Sequence, residues 1–85
     1  MVSRRMTISI PSGLEARPVA MLVQVASRYE SKISIESGDR TINAKSIMGM
    51  MALGLSAGES IKVSAEGADE EVAIAEIEKY LSSKN

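Results

Sequence analysis

Eighty-five residues with a formal net charge of -1 predict one small domain over residues 1–85. The chain has no cysteine and no histidine, which removes disulfides, thiolate chemistry, the usual general base and the commonest metal ligands, so neither a metal nor a cofactor is expected. Its basic residues are scattered and only Tyr29 and Tyr80 are aromatic, so the basic patch and stacking rings of a nucleic-acid binder are missing.

Arg5 to Ile10 alternates, with Met6, Ile8 and Ile10 on one side and Arg5, Thr7 and Ser9 on the other, which predicts a half-buried strand. Before it, Met1-Val2-Ser3-Arg4-Arg5 lacks the apolar run of a secretory signal, and no segment has the length of a membrane span. The expected compartment is therefore the cytoplasm. Pro11-Ser12-Gly13 breaks the strand.

The next helix carries Pro18 in its first turn, where a missing N–H is harmless. Val19, Leu22, Val23 and Ala26 have the i, i+3, i+4, i+7 spacing of a single buried stripe. Glu15, Ala16 and Arg17 then stand at the mouth of that helix, where a carboxylate is favoured by the free N–H groups. The helical region is expected to end at Ser31. Lys32–Glu36 alternates again with Ile33 and Ile35 inward, and Ser37-Gly38-Asp39-Arg40 turns the chain into a short return strand, Thr41–Asn43.

Asn43-Ala44-Lys45-Ser46-Ile47-Met48-Gly49-Met50-Met51-Ala52-Leu53 follows. Ser46 stands where a helix N-cap belongs, able to accept from the N–H of Met48 or Gly49. At about 100° per residue, Ile47, Met48 and Met51 fall on one arc and Met50 and Leu53 on the opposite one. A short helix presses only one arc into a core. The other is left for a partner, and methionine suits adaptable contacts. The stretch thus pairs a modifiable serine with an apolar patch.

Gly54 to Gly58 reads as loop, and Ile61, Val63 and Ala65 form the inward face of a fourth strand. After a turn at Gly67-Ala68-Asp69, Asp69 is the expected N-cap of a last helix, with Glu70 and Glu71 in its first turn as dipole partners before metal ligands. Ala73, Ile77, Tyr80 and Leu81 are its expected buried stripe, Lys79 and Lys84 lie toward its negative end, and Ser82-Ser83-Lys84-Asn85 should fray. Four strands with one polar face each want helices on the other face only. That is an α+β open-faced sandwich on an antiparallel sheet. Without histidine, cysteine, a glycine-rich phosphate loop or paired carboxylates, the chain does not read as an enzyme.

Three blocks, Gly13-Leu14-Glu15-Ala16-Arg17-Pro18, Asn43-Ala44-Lys45-Ser46-Ile47-Met48-Gly49 and Gly67-Ala68-Asp69-Glu70, resemble the HPr family, the histidine-containing phosphocarrier proteins of the sugar phosphotransferase system. The resemblance runs from Met6 to the last helix and implies a four-stranded antiparallel sheet with three helices on one face. In the family a histidine receives a phosphoryl group from enzyme I and passes it to sugar-specific transport components. Here that position holds Glu15, which has no imidazole nitrogen to carry a phosphoramidate. Ala16, Arg17 and Pro18 remain beside it. Ser12 is a further candidate for touching an anion near Arg17, alongside its reading as a turn former.

The Lys45-Ser46-Ile47-Met48-Gly49 context resembles the family's regulatory site. The resemblance implies phosphorylation of Ser46 by an ATP-dependent HPr kinase/phosphorylase, followed by binding to catabolite control protein A. On that reading Arg17, Ser12, Ala16, Lys45, Ile47, Met48 and Met51 form the phosphate- and partner-binding surface. The pattern is similar to that of the catabolite-repression members of the family, which lack the active histidine and commonly carry glutamine where this chain has Glu15. The alternative is a phosphocarrier, on the condition that Glu15 replaces a natural histidine or itself accepts phosphate as an acyl phosphate.

Overall fold

The computed structural model describes residues 1–10, 16–54 and 56–82, with the side chains of all of these except Ala16 and Arg17. The break at Pro11-Ser12-Gly13, the candidates Ser12 and Glu15, and the end Ser83-Lys84-Asn85 lie outside the described residues.

The elements run β1 (Val2–Thr7), α1 (Ala16–Ser27), β2 (Lys32–Ser37), β3 (Arg40–Asn43), α2 (Ile47–Leu53), β4 (Ser60–Glu66) and α3 (Glu70–Leu81). The sheet order is β1-β4-β2-β3 and every neighbouring pair is antiparallel. Strand period two sends Met6, Ile33, Ile35, Ile61, Val63 and Ala65 to one face, where they meet Val19, Leu22 and Ala26 of α1, Met50 of α2, and Ala73, Ile74, Ile77 and Leu81 of α3. The other face carries Ser3, Arg5, Thr7, Lys32 and Lys62 to water. The fold is therefore the α+β open-faced sandwich that the alternation implied. With no Phe or Trp, the core is built from aliphatic side chains and methionine. Each large one buried contributes about 1.5–3 kcal/mol.

Several boundaries differ from the sequence reading. The first strand occupies Val2–Thr7 instead of Arg5–Ile10. Its ladder is set by β4, from Val2 opposite Ala65 to Thr7 opposite Ser60. Beyond Thr7 the alternation of burial continues, but the Ser9 N–H donates to the carbonyl of Leu81 at 2.8 Å, so the chain has left the sheet for the end of α3. Helix α1 stops at Ser27, not Ser31: the N–H groups of Arg28 and Tyr29 reach back only three residues, to Val25 and Ala26. The third strand starts at Arg40, which pairs with Ser37 and leaves a two-residue turn of Gly38 and Asp39. Gly38 has φ +64, as a two-residue hairpin with glycine at its first central position requires. In α3 the buried stripe includes Ile74, while Tyr80 is half-buried and donates its hydroxyl to the Pro18 carbonyl at 3.1 Å. That bond joins the ends of α1 and α3.

Asp69 precedes α3 as expected but its side chain makes no cap. The carboxylate reaches across the molecule, accepting from the Glu30 N–H at 2.9 Å, the Ser31 N–H at 3.0 Å and the Ser31 hydroxyl. These bonds hold the carboxyl below the usual aspartate range, the Ser31 hydroxyl contributing most. Ser31 is fully buried, so the clamp satisfies a hydroxyl that burial would otherwise penalise. Gly67 makes the approach feasible: its φ is +155, and a Cβ there would lie 2.7 Å from the Cα of Ser31.

Candidate functional site

The site is built where β3 hands over to α2. Asn43 turns the chain, its side-chain oxygen accepting from the Lys45 N–H at 2.8 Å and its carbonyl from the Ser46 N–H at 3.0 Å. Ala44 is buried, with its N–H on the Ile33 carbonyl at 2.9 Å, so the approach to the helix is anchored to β2. The Lys45 ammonium donates to the Tyr29 carbonyl at 2.7 Å and ties the same segment to the turn after α1.

Ser46 is then extended (φ -103, ψ 110), and its hydroxyl oxygen accepts from the Gly49 N–H at 3.1 Å. Of the two donors that spacing allowed, the structure selects Gly49. The Ser46 carbonyl accepts the first helical bond, from Met50 at 3.0 Å. Gly49 has a packing reason to be glycine: an added Cβ would stand 3.2 Å from the Ser46 hydroxyl oxygen and 3.7 Å from the Ile42 Cβ. At the other end Gly54 caps α2 in the left-handed region (φ 59, ψ 43), and Arg40 donates to the Ala52 carbonyl at 3.4 Å.

The two arcs of α2 separate as their angles require. Met50 is fully buried and Leu53 packs against the core, whereas Ile47, Met48 and Met51 are 47, 84 and 49 % exposed. Four of the sequence candidates therefore share one surface: Ser46, Ile47, Met48 and Met51. Lys45 is beside them with its ammonium already engaged. Ala16 opens α1, but its side chain and that of Arg17 lie outside what is described, as do Ser12 and Glu15. Met21 of α1 is also exposed, at 47 %, on a helix that packs against α2. It was legible as an apolar residue lying off the stripe of Val19, Leu22, Val23 and Ala26. Among the described residues no three acidic side chains gather as a metal site, and no helix is long and apolar enough to cross a membrane.

A serine cap beside an exposed apolar arc, on this sheet order, invites comparison with known proteins. The family model described as "PTS HPr component phosphorylation site" matches residues 2–83. The chain belongs to the PTS HPr family. Members of this family are phosphocarrier or regulatory proteins, not enzymes. The chain is 37 % identical over 84 residues to the HPr-like protein Crh of Bacillus subtilis (strain 168), covering 99 % of each sequence. It is 45 % identical over 74 residues to the HPr-like protein Crh of Halalkalibacterium halodurans, covering 87 % of this chain and 88 % of that one. Its fold is similar to the crystal structure of HPr-C-His from Thermoanaerobacter tengcongensis, with a TM-score of 0.94 at 46 % identity, over 98 % of this chain and 93 % of that one. Within this HPr-family chain, position 15 is glutamate and no histidine occurs anywhere.

Proposed function

We propose that this chain is an HPr-like regulatory protein of carbon catabolite repression, switched by phosphorylation of Ser46. The observation that carries the reading is the placement of the partly buried cap serine Ser46 directly beside the exposed arc of Ile47, Met48 and Met51. The names of the Crh relatives point the same way. An HPr kinase/phosphorylase would transfer the γ-phosphoryl group of ATP to the Ser46 oxygen, adding about -1.5 to -2 charges at the start of α2. The phosphate oxygens keep an acceptor for the Gly49 N–H, so the backbone need not rearrange. The product is a dianion against an apolar arc. Catabolite control protein A is the proposed partner, its cations meeting the phosphate and its apolar side chains the methionines. Arg17, Lys45, Ala16 and Ser12 are the proposed neighbours of the phosphate or the partner.

Incubation with the kinase/phosphorylase and ATP, followed by intact mass and peptide mapping, should show one phosphate, on Ser46. Ser46→Ala should take up none and should lose ATP-dependent binding to the repressor. Undiminished binding by that variant sinks the mechanism.

A phosphocarrier is the second reading, favoured by the family match and by the likeness to an HPr structure. Enzyme I and sugar-specific transport components would then be partners. Glu15 argues against it: a carboxylate brings negative charge to the place where a phosphoryl group must arrive, and it has no nitrogen to receive one. Labelled phosphoenolpyruvate with enzyme I should leave this chain unlabelled, and a label on Glu15 would reverse the ranking.

A further inference from the structure

We infer that Met48, on the same exposed arc of α2 as Met51, is a peroxide-sensitive modification site whose oxidation turns that apolar arc polar without unfolding the domain. The chain has six methionines and no cysteine, so thioethers are its only oxidisable sulfur. The structure divides them sharply. Met6 and Met50 are in the core, at 4 and 0 % exposure, whereas Met48 is 84 %, Met1 76 %, Met51 49 % and Met21 47 % exposed, Met48 being the most exposed large apolar side chain among the described residues. Met1, also exposed, stands apart beside Glu70 at the start of α3.

The chemistry needs only a hydroperoxide. A thioether lone pair attacks the hydroxyl oxygen of the hydroperoxide, an S–O bond forms as the O–O bond breaks, and the proton on the transferred oxygen passes to the departing oxygen, which leaves as water or an alcohol. Sulfur loses two electrons and the peroxide gains them. The product sulfoxide is a strong acceptor on a side chain that had none of consequence, and methionine sulfoxide reductases reverse it. Because the core methionines are shielded, packing survives while the surface changes character. The consequence for function rests on the docking reading above: a sulfoxide facing an apolar partner surface leaves an unpaired polar group and weakens contact about tenfold or more.

Dilute hydrogen peroxide followed by peptide mapping tests the site independently of any partner. Met48 should oxidise among the first, alongside the exposed Met1, and Met50 at least about tenfold more slowly, since its reaction waits on opening of the core. Retention on a hydrophobic-interaction column should fall in step with Met48 sulfoxide and return after reductase treatment, with the far-UV spectrum and Tm unchanged. Met48→Leu should keep most of its retention through the same exposure. Equal rates at Met48 and Met50, or Met48 sulfoxide without a retention change, overturn the proposal. A second arm measures binding of Ser46-phosphorylated protein to the repressor before and after peroxide. Binding lost on oxidation and kept by Met48→Leu supports the functional consequence, and binding that survives Met48 oxidation removes it. If the unoxidised phosphoprotein does not bind, the docking reading falls and takes that consequence with it, while mapping and retention still decide the site.

Discussion

Two helices in this domain start on a short polar residue, and the two residues do opposite things. Ser46 turns inward on its own helix, accepting from Gly49 three residues on. The Asp69 side chain, by contrast, leaves its helix and accepts from Glu30 and Ser31, nearly forty residues earlier in the chain. The first is a local device: it finishes α2 and leaves the outer arc of that helix uncovered. The second is a tertiary clamp, which holds the turn after α1 against the start of α3. A site that must be modified suits the first arrangement, because little else depends on it. A site that holds the fold suits the second.

The largest effect should come from crowding the clamp. Gly67→Ala forces an alanine into φ +155 and sets a methyl 2.7 Å from the Ser31 Cα, which is backbone and cannot swing away. Strain and overlap together should cost about 3 kcal/mol or more, read as a lowered urea midpoint. Gly49→Ala, whose Cβ would meet a rotatable serine hydroxyl at 3.2 Å, should cost visibly less. Equal losses at the two glycines would erase the distinction between clamp and cap.

Acid should loosen the clamp next. The Asp69 carboxyl titrates below its ordinary value near 3.8 in the folded protein, because the Ser31 hydroxyl and Glu30 N–H favour its charged form. A depressed folded value means stability that is full above the unfolded pKa and is lost as pH falls through it toward the lower folded one. Glu70, lowered first by its bond from the Gly67 N–H, contributes with the same sign. Urea unfolding from pH 7 to pH 2 should therefore show a steep acid loss in the wild type. The loss should be shallower in Asp69→Asn, with a remainder from Glu70. An unchanged slope in the variant would show that the carboxylate gains nothing from its bonds.

How far the chain could be read in advance follows the same division between local and distant. Alternation in Ile33/Ile35 and Ile61/Val63/Ala65, and the opposed arcs of α2, are neighbour-to-neighbour patterns, and the structure keeps them. What eluded the reading depends on a partner far along the chain. The span of β1 was set by β4, some sixty residues away. The roles of Ser31, Gly67 and Asp69 appear only when two turns meet, and a serine after a helix gives no hint that an aspartate is aimed at it. Ile74 was missed for a milder reason: a stripe drawn through Ala73 and Ile77 is wide enough to take in the residue between them. The Ser46 surface was legible because cap, spacing and apolar arc all lie within eleven residues, whereas its relation to Arg17 and Glu15 is not a local property.

Ser46→Ala isolates the cap. It removes one acceptor from the start of α2 and should cost about 1 kcal/mol, measured by urea denaturation of the unphosphorylated protein. A loss as large as that of Gly67→Ala would make Ser46 a structural keystone and weaken its candidacy as a switch.

Met48→Ala should have the smallest effect on stability, within about 0.5 kcal/mol of wild type, since the side chain is 84 % exposed and leaves no cavity when cut back. On the proposed function, the same substitution should markedly weaken binding of the Ser46-phosphorylated protein to the proposed repressor partner, because an exposed methionine that contributes little to folding is free to serve such a contact. The two measurements pull apart only if the outer arc of α2 serves a partner. Were Met48→Ala to unfold the domain, the arc would belong to the core after all. Were it to leave both stability and binding untouched, the docking surface would have to be sought elsewhere on the protein, and a cap at Ser46 would be a cap and nothing more.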